Sequence, residues 1–229
     1  MIFNMITFSR FILFKILIAT VALIFSGCQH IVGDSRMSAQ KKVDGISLFD
    51  GSGLDNWELT DYVGKGDVKI DKNGSLILEM GSDLTGIHWK NKKILPKINY
   101  EISLEARRTL GSDFFCGLTF PFNESHATLI LGGWGGALIG ISSIDGYDAS
   151  ENETGDAYIF EDNQWYKIKL KVSPENLSVW IDQDKVIDCD LEGRDVGMRF
   201  GEIEMSIPLG ICSYATSSEI RNIKLIELE

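Results

Sequence analysis

The amino-acid sequence predicts an all-β fold, an antiparallel β-sandwich, from three observations. Beyond residue 45, every long patterned run alternates apolar and polar residues with the period of a half-buried strand. Gly is frequent, with 23 among 229 residues, while Pro occurs only 4 times, which fits a chain with many tight turns. After the N-terminal region, no segment carries the apolar stripe of an amphipathic helix. One sandwich domain is therefore expected.

The chain opens with the pattern of a bacterial export signal. Arg10 and Lys15 lie in or beside the basic region, and an apolar run from Ile16 to Phe25 follows that is too short to span a bilayer comfortably. The next residues, Ser26-Gly27-Cys28, resemble the lipobox of bacterial lipoproteins. This resemblance implies a lipoprotein signal peptide over residues 1–27 and a Cys28 that carries palmitate or a similar acyl chain. A simple anchor helix with an incidental cysteine is the alternative.

Residues 28–44 are predicted to form the acylated N-terminus and a flexible tether, because 29–44 are polar and show no periodicity. Gln29 rather than Asp follows Cys28, which by analogy with enteric bacteria favours the outer membrane. We therefore expect a protein of the bacterial cell envelope that contacts the membrane through its lipid anchor only. The sandwich domain is predicted to occupy residues 45–229.

The strands of this domain are predicted from the alternation and from the turns that separate it. The clearest runs are residues 76–80, 98–106, 165–172 and 177–181. Between runs lie turn signals such as Lys72-Asn73-Gly74, Asp145-Gly146 and 173–176. Such runs, polar on one side and apolar on the other, are typical of antiparallel strands with one buried face.

Composition excludes several classes of protein. The formal net charge of −11 gives a surface that repels phosphate backbones, so nucleic acid is excluded as the main partner. With 44% hydrophobic and 10% aromatic residues, the chain is not intrinsically disordered. Cys116, Cys189 and Cys212 lie in apolar runs without CxxC spacing, which argues against zinc and favours buried free thiols. One disulfide among these three remains open.

Three segments of the domain carry a resemblance to a known family. The opening Leu48-Phe49-Asp50-Gly51 with Trp57, the hairpin 163–186 and the ending 208–225 resemble the 3-keto-disaccharide hydrolase family, whose domains are 3-keto-glucoside 1,2-lyases or 3-keto-2-hydroxy-glucal hydratases. The opening is the most specific, since concanavalin-like lectin domains share the other two. The resemblance covers residues 45–228 and implies a concanavalin A-like jelly roll. It also implies a carbohydrate ligand and cleavage of the glycosidic bond of 3-keto-glucosides.

Residues 111–155 interrupt the alternation and hold most candidates for a sugar site. Trp134, between two pairs of glycines, offers an exposed plate for the apolar face of a pyranose, unless its ring packs inward. Polar and aromatic side chains would bind the hydroxyl groups and complete the pocket. The further candidates for substrate contact are Trp89, His88, Tyr147, Glu151 and Asn152.

The implied reaction requires a base for the C2 proton, which the C3 ketone acidifies, and an acid for the leaving oxygen. From residue chemistry and neighbourhood, we expect His126 to be the base and one of Asp113, Glu124 and Asp148 to be the acid. No cofactor is indicated, although Ca²⁺ is one occupant of the acidic loop 145–153, a solvated loop being the other interpretation. A non-catalytic carbohydrate-binding module and a purely structural surface lipoprotein are the alternative functions.

Overall fold

The computed structural model describes residues 45–90 and 95–229, which form two packed antiparallel sheets and confirm the predicted all-β sandwich. The signal peptide 1–27, the acylated Cys28 and the tether predicted for residues 28–44 lie outside the described residues. Within the described ranges, no helix has the length and apolar character needed to cross a membrane. The only helical segments there are the single turn Gly133–Gly136 and the 3₁₀ helix Glu202–Ser206.

Fifteen strands make up the two sheets. In chain order they are β1 (Ile46–Phe49), β2 (Trp57–Leu59), β3 (Val68–Ile70), β4 (Leu76–Leu78), β5 (Leu84–Trp89), β6 (Tyr100–Gly111), β7 (Cys116–Phe122), β8 (Ser125–Gly132), β9 (Leu138–Ser142), β10 (Asp156–Ala157), β11 (Tyr166–Val172), β12 (Asn176–Ile181), β13 (Asp184–Asp190), β14 (Gly210–Tyr214) and β15 (Thr216–Glu227). Sheet 1 has the order β13-β12-β11-β6-β15-β4-β3, with β1 also paired to β15. Sheet 2 has the order β10-β9-β8-β7-β14-β5-β2.

Each of the final two strands, β14 and β15, is an interior strand of one of the two sheets. Strand β14 pairs with β7 on one side and β5 on the other, and β15 pairs with β6 and β4. The first strand also depends on the last, because Ile46 is paired with Leu225. The end of the chain therefore joins its N-terminal strands to its middle strands in each layer.

The core lies between the sheets and follows the predicted alternation. In β6, Tyr100, Ile102 and Leu104 are almost fully buried, whereas the residues between them face solvent. The strand begins at Tyr100 rather than at the predicted Ile98, because Asn99 has a φ of 55° and interrupts the extended backbone. Burial of this apolar face is the main stabilising contribution expected of such a sandwich.

The three cysteines of the domain, Cys116, Cys189 and Cys212, are buried and free, as expected for structural thiols. Burial raises the pKa of Cys189 to about 11 and the pKa of Cys212 to about 12. These thiols therefore stay protonated at neutral pH and are poor nucleophiles.

The outer face of sheet 2 is covered at one place by the segment that contains the 3₁₀ helix. Buried Ser206 of that helix lies 2.6 Å, oxygen to oxygen, from the hydroxyl of Thr119 on β7, which in turn contacts the Thr128 hydroxyl at 2.9 Å. This polar chain attaches the helix to the middle of the sheet. Beside the helix, the sheet face stays open and forms a cavity.

Candidate functional site

A cavity of about 410 Å³ lies on the outer face of sheet 2, where β8 and β14 end and β5 begins; we call it the Trp134 cavity. Its lining residues are Asp83, Leu84, Asp113, Phe114, Thr128, Ile130, Trp134, Ser142, Arg199, Phe200, Gly201, Glu202, Ile203 and Tyr214. Short side chains of the sheet form part of this lining, and longer aromatic and charged ones project from the loops. A concave, largely apolar site with a few polar groups is the usual form of a small-molecule site.

Trp134 is exposed at this cavity, as the glycines around it predicted. It lies in the turn Gly133–Gly136 with a left-handed backbone, φ 47°, and its exposed fraction is 48%. Gly132 and Gly136 also have positive φ, 83° and 104°, so glycine is required on both sides of the tryptophan. The interpretation in which the ring packs into the core is therefore wrong, and one face of the indole is available to a flat ligand.

The side chain of Arg108, on β6 of sheet 1, forms hydrogen bonds that hold this turn in place. Its guanidinium group donates to the carbonyl oxygens of Gly136 at 3.2 Å and Phe160 at 2.8 Å, and to a carboxylate oxygen of Asp162 at 2.6 Å. Arg108 is 9% exposed, so these are largely desolvated bonds to a charged donor. A side chain from sheet 1 thus fixes the position of the turn that presents Trp134.

Other aromatic side chains complete the apolar part of the cavity. Phe114 and Tyr214 are stacked with ring centroids 5.7 Å apart. Phe200 is 93% exposed, an unusual degree for a phenylalanine. Arg199 lies beside the Trp134 ring, with 5.9 Å between its guanidinium carbon and the ring centroid. Together these groups give surfaces for the apolar faces of sugar rings.

Three carboxylates, on Asp83, Asp113 and Glu202, line the same cavity. The Asp113 carboxylate accepts a hydrogen bond from the backbone N–H of Phe114 at 2.8 Å, which fixes one of its oxygens. The pKa of the Tyr214 phenol is raised, first by the charge of Asp83 and then by its hydrogen bond to that carboxylate. The cavity therefore holds a positioned carboxylate and a phenol that is kept protonated.

Arg199 connects the cavity to a predicted site residue that does not line it. Its guanidinium group forms an ion pair with the Asp148 carboxylate at 2.8 Å. Asp148 is a candidate acid from the sequence, but the structure places it outside the cavity lining, where it pairs with Arg199. Among the candidates for catalysis, only Asp113 lines the cavity directly.

Two predicted substrate contacts on β5, Trp89 and His88, lie away from the cavity. Trp89 is 3% exposed and packs edge-on against Trp57, with 5.1 Å between ring centroids, so it is a core residue without a free face. The Nδ1 atom of His88 lies 3.1 Å from the Thr60 hydroxyl, and its Nε2 lies 3.7 Å from Glu58. Their expected role in substrate contact has no support in this geometry.

The predicted base, His126, and the candidate acid Glu124 are near the hairpin that joins β7 to β8. His126 is paired with Pro121 and shares the outer face with Thr128, but it does not line the cavity. Glu124 is exposed in the turn, where its carboxylate pairs with Lys97 at 2.6 Å. Trp134 follows the opposite end of β8, so the chain proximity of these residues does not bring them together.

The acidic loop 145–153 is organised by an arginine side chain rather than by a metal ion. Arg194 forms ion pairs with Asp145, at 2.6 Å, and with Glu153. Over residues 45–90 and 95–229, no group of three or more His, Cys, Asp or Glu side chains has a metal-binding arrangement. The calcium interpretation is therefore not supported, since the guanidinium group occupies the position between the two carboxylates.

The remaining residues of this loop that were predicted to contact substrate do not lie in the cavity. The Asn152 amide nitrogen donates to the carbonyl oxygens of Ile141 and Asp148, and its oxygen accepts from the backbone of Thr154. Tyr147 and Glu151 are exposed and do not line the cavity. Asn152 is thus a structural residue of the turn.

Several residues of the cavity were missed by the sequence analysis. Asp83, Arg199, Glu202 and Tyr214 come from three distant parts of the chain and belong to no local motif. Two glycines, Gly197 and Gly201, flank the segment that carries Arg199 and Phe200, and this spacing is the one signal that the sequence offered. The order of the strands, which brings these three parts of the chain together, could not be derived from the sequence.

Comparison with known proteins agrees with the resemblance noted in the sequence. The family model described as a 3-keto-alpha-glucoside-1,2-lyase-like domain matches residues 44–226. Among solved structures, the Crh5 transglycosylase in complex with NAG aligns with a TM-score of 0.53 and 12% identity, covering 80% of this chain and 83% of that chain. The metal-free Emp46p carbohydrate recognition domain aligns with a TM-score of 0.51 and 16% identity, covering 82% and 94%.

A third structure, the carbohydrate-binding module CBM66 from Bacillus subtilis, aligns at 11% identity with a TM-score of 0.48 over 80% of this chain and 99% of that chain. No curated protein matches the chain in sequence. At these identities, the Crh5 and Emp46p alignments support the jelly-roll fold and nothing more specific.

Proposed function

The chain belongs to the 3-keto-alpha-glucoside-1,2-lyase-like family, and on that premise we propose that the Trp134 cavity binds a 3-keto-glucoside and cleaves its glycosidic bond. The observation that carries the proposal is the meeting of an exposed indole ring with the Asp113 carboxylate, the Tyr214 phenol and the Arg199 cation in one cavity. Such a site offers a platform for the ring, acceptors for hydroxyl groups, and groups for proton transfer.

The first step is removal of the C2 proton, which the neighbouring C3 ketone makes acidic. Asp113 is the proposed base, because its carboxylate lines the cavity and is held by the Phe114 N–H. The electron pair of the C2–H bond forms an enolate whose negative charge develops on the C3 oxygen. Arg199, held by Asp148, is the cation available to stabilise that charge.

The second step expels the group at C1. The enolate electrons re-form the C3 ketone and a C1=C2 double bond, and the C1–O bond breaks. Tyr214 is the proposed acid that protonates the departing oxygen, because its phenol lines the cavity and a tyrosine carries its proton at neutral pH. The products are the alcohol and a 3-keto-2-hydroxy-glucal; the proton that Asp113 took from C2 returns through solvent to the Tyr214 phenolate, so atoms and charge balance.

A carbohydrate-binding module is the second candidate function. It is favoured by the position of His126, the base expected from the sequence, which does not line the cavity. In this alternative, Trp134 and the carboxylates bind a sugar ring without turnover.

The test uses purified full-length protein and the 3-keto derivative of 4-nitrophenyl glucoside, with release of 4-nitrophenol as the readout. We expect turnover by the parent protein and a loss of at least about 100-fold for Asp113→Asn, the size typical of a removed general base. Glu124→Gln is the control, because that carboxylate lies in the exposed hairpin turn.

Retained ligand binding by Asp113→Asn together with lost turnover supports the enzyme. Absence of turnover by the parent protein on 3-keto-glucosides, with measurable binding, would instead establish the module.

We also propose that the domain is exported and anchored by acyl chains on Cys28, with the outer membrane as its location. Support comes from the apolar run that ends before Cys28 and from Gln29, as argued from the sequence.

A further inference from the structure

The charges that line the Trp134 cavity are unbalanced. Asp83, Asp113 and Glu202 carry three negative charges there, and Arg199 carries the positive one. Arg199 is already paired with Asp148, which is outside the cavity lining. The sugar site therefore has an excess of negative charge.

The polar contacts of the cavity acids leave that charge uncompensated. Asp113 accepts a backbone N–H, and Glu202 accepts the backbone N–H of Val63 at 3.4 Å. Asp83 interacts with the Tyr214 phenol. In the part of the chain that the structure describes, none of the three forms an ion pair with a lysine or arginine.

We propose that Asp83 and Glu202 are specificity-determining residues that restrict the cavity to uncharged or positively charged sugars and exclude uronic acids and sulfated sugars. A ligand carboxylate in this cavity would lie beside carboxylates that have no cation of their own, and like charges in a partly closed site repel strongly. A hydroxyl group or an ammonium group would find hydrogen-bond acceptors in the same positions. The ligand class rests on the proposed sugar site, whereas the charge of the cavity does not.

The charge can be tested without any sugar, because Trp134 reports on it. Caesium and iodide quench tryptophan fluorescence by contact, so a negative cavity enriches caesium and depletes iodide around the exposed indole. Trp165 and Trp180 have cations over their rings, Arg221 at 4.0 Å and Lys169 at 4.1 Å, so we expect the opposite preference for them. Subtracting a Trp134→Phe variant isolates the Trp134 signal.

For the Trp134 component, we expect caesium to exceed iodide in quenching by about 2- to 10-fold, each normalised to free N-acetyltryptophanamide, at low ionic strength. The variant Asp83→Asn with Glu202→Gln keeps the shape of both side chains and should reduce this ratio towards one. Acrylamide, which is neutral, controls for exposure. Equal or stronger quenching by iodide in the parent protein would overturn the proposal.

The second arm compares the 3-keto derivatives of 4-nitrophenyl glucoside and 4-nitrophenyl glucuronide, which differ from each other at C6 only. We expect the glucuronide to bind at least about tenfold more weakly at low salt, and the gap to narrow in the double variant. Equal affinities, or a gap that the variant leaves unchanged, would refute the assigned specificity. If neither glycoside binds, the proposed sugar site fails, while the quenching ratio still decides the sign of the cavity charge.

Discussion

Replacing Arg108 with methionine tests how the turn that presents Trp134 is held. The substitution keeps most of the side-chain volume but removes the donors to the carbonyl oxygens of Gly136 and Phe160. Both residues are buried, so each carbonyl loses its partner out of reach of water, at about 1–3 kcal/mol apiece. The Asp162 side chain is 57% exposed and is rehydrated when its partner leaves, which adds little.

The expected loss for Arg108→Met is therefore about 2–6 kcal/mol in the free energy of unfolding, measured by equilibrium denaturation in urea. Asp162→Asn is the matched control, because it removes the charge at the exposed end and leaves both carbonyl bonds intact; we expect a loss below about 1 kcal/mol. A loss for Arg108→Met that is no larger than that of the control would show that the two carbonyl bonds do not stabilise the turn. Arg108→Lys, which retains the charge without the fork of donors, should fall between them.

Three other predictions concern the ring, the acidic loop and the N-terminus. Trp134→Ala should weaken sugar binding by about 1–3 kcal/mol in a titration. The unfolding free energy should fall by less than the roughly 3–5 kcal/mol typical of a buried tryptophan, because the ring is exposed. Retained affinity would contradict the stacking role. The pKa values of Asp145 and Glu153 are lowered, that of Asp145 chiefly by the Asp195 N–H and then Arg194, and that of Glu153 chiefly by Arg194. The two carboxylates therefore stabilise the folded state at pH values above their unfolded pKa values near 4, and this contribution is lost as the pH falls through their lower folded pKa values. Arg194→Gln should therefore reduce the dependence of the unfolding free energy on pH in the acid range. Cys28→Ala should leave an unprocessed precursor that takes up no labelled palmitate, and normal labelling would remove the lipoprotein proposal.

Local pattern was sufficient to predict the fold class. The alternation in β6 and β11 gives the buried and exposed faces without any knowledge of the partner strands, because side chains alternate strictly along a strand. Within the predicted runs the errors were at strand ends, such as Ile98, where the backbone angle of the next residue ends the strand, whereas β7, β8 and β9 lie in the segment whose alternation is interrupted and were not predicted. The glycines around Trp134 also predicted its exposure, since their effect on the backbone is local.

Non-local pairing is the reason that the site was predicted only in part. His126 and Trp134 are neighbours in the sequence, but β8 separates them along its length, whereas Asp83 and Tyr214 meet because β5 and β14 are paired. A solvated loop and a Ca²⁺ site were both open interpretations of the loop acids, because the sequence does not show that Arg194, more than forty residues away, is their partner. Local patterns in the sequence do not show which strands pair or which distant side chains form ion pairs.

The position of β14 and β15 determines when the domain can fold. Each sheet lacks an interior strand until residues 210–227 are present, and β1 has no partner until its counterpart in β15 arrives. Contacts between segments so distant in sequence form late, because loop closure must precede them. A chain still emerging from the ribosome therefore has two incomplete sheets with open edges and no stable core.

The sandwich is therefore completed only after residues 210–227 have been synthesised. Until those residues are present, the edges of β7 and β6 that they cover remain open to pairing with other strands. Removing β15 would leave a product that is exposed to aggregation and proteolysis rather than a smaller sandwich.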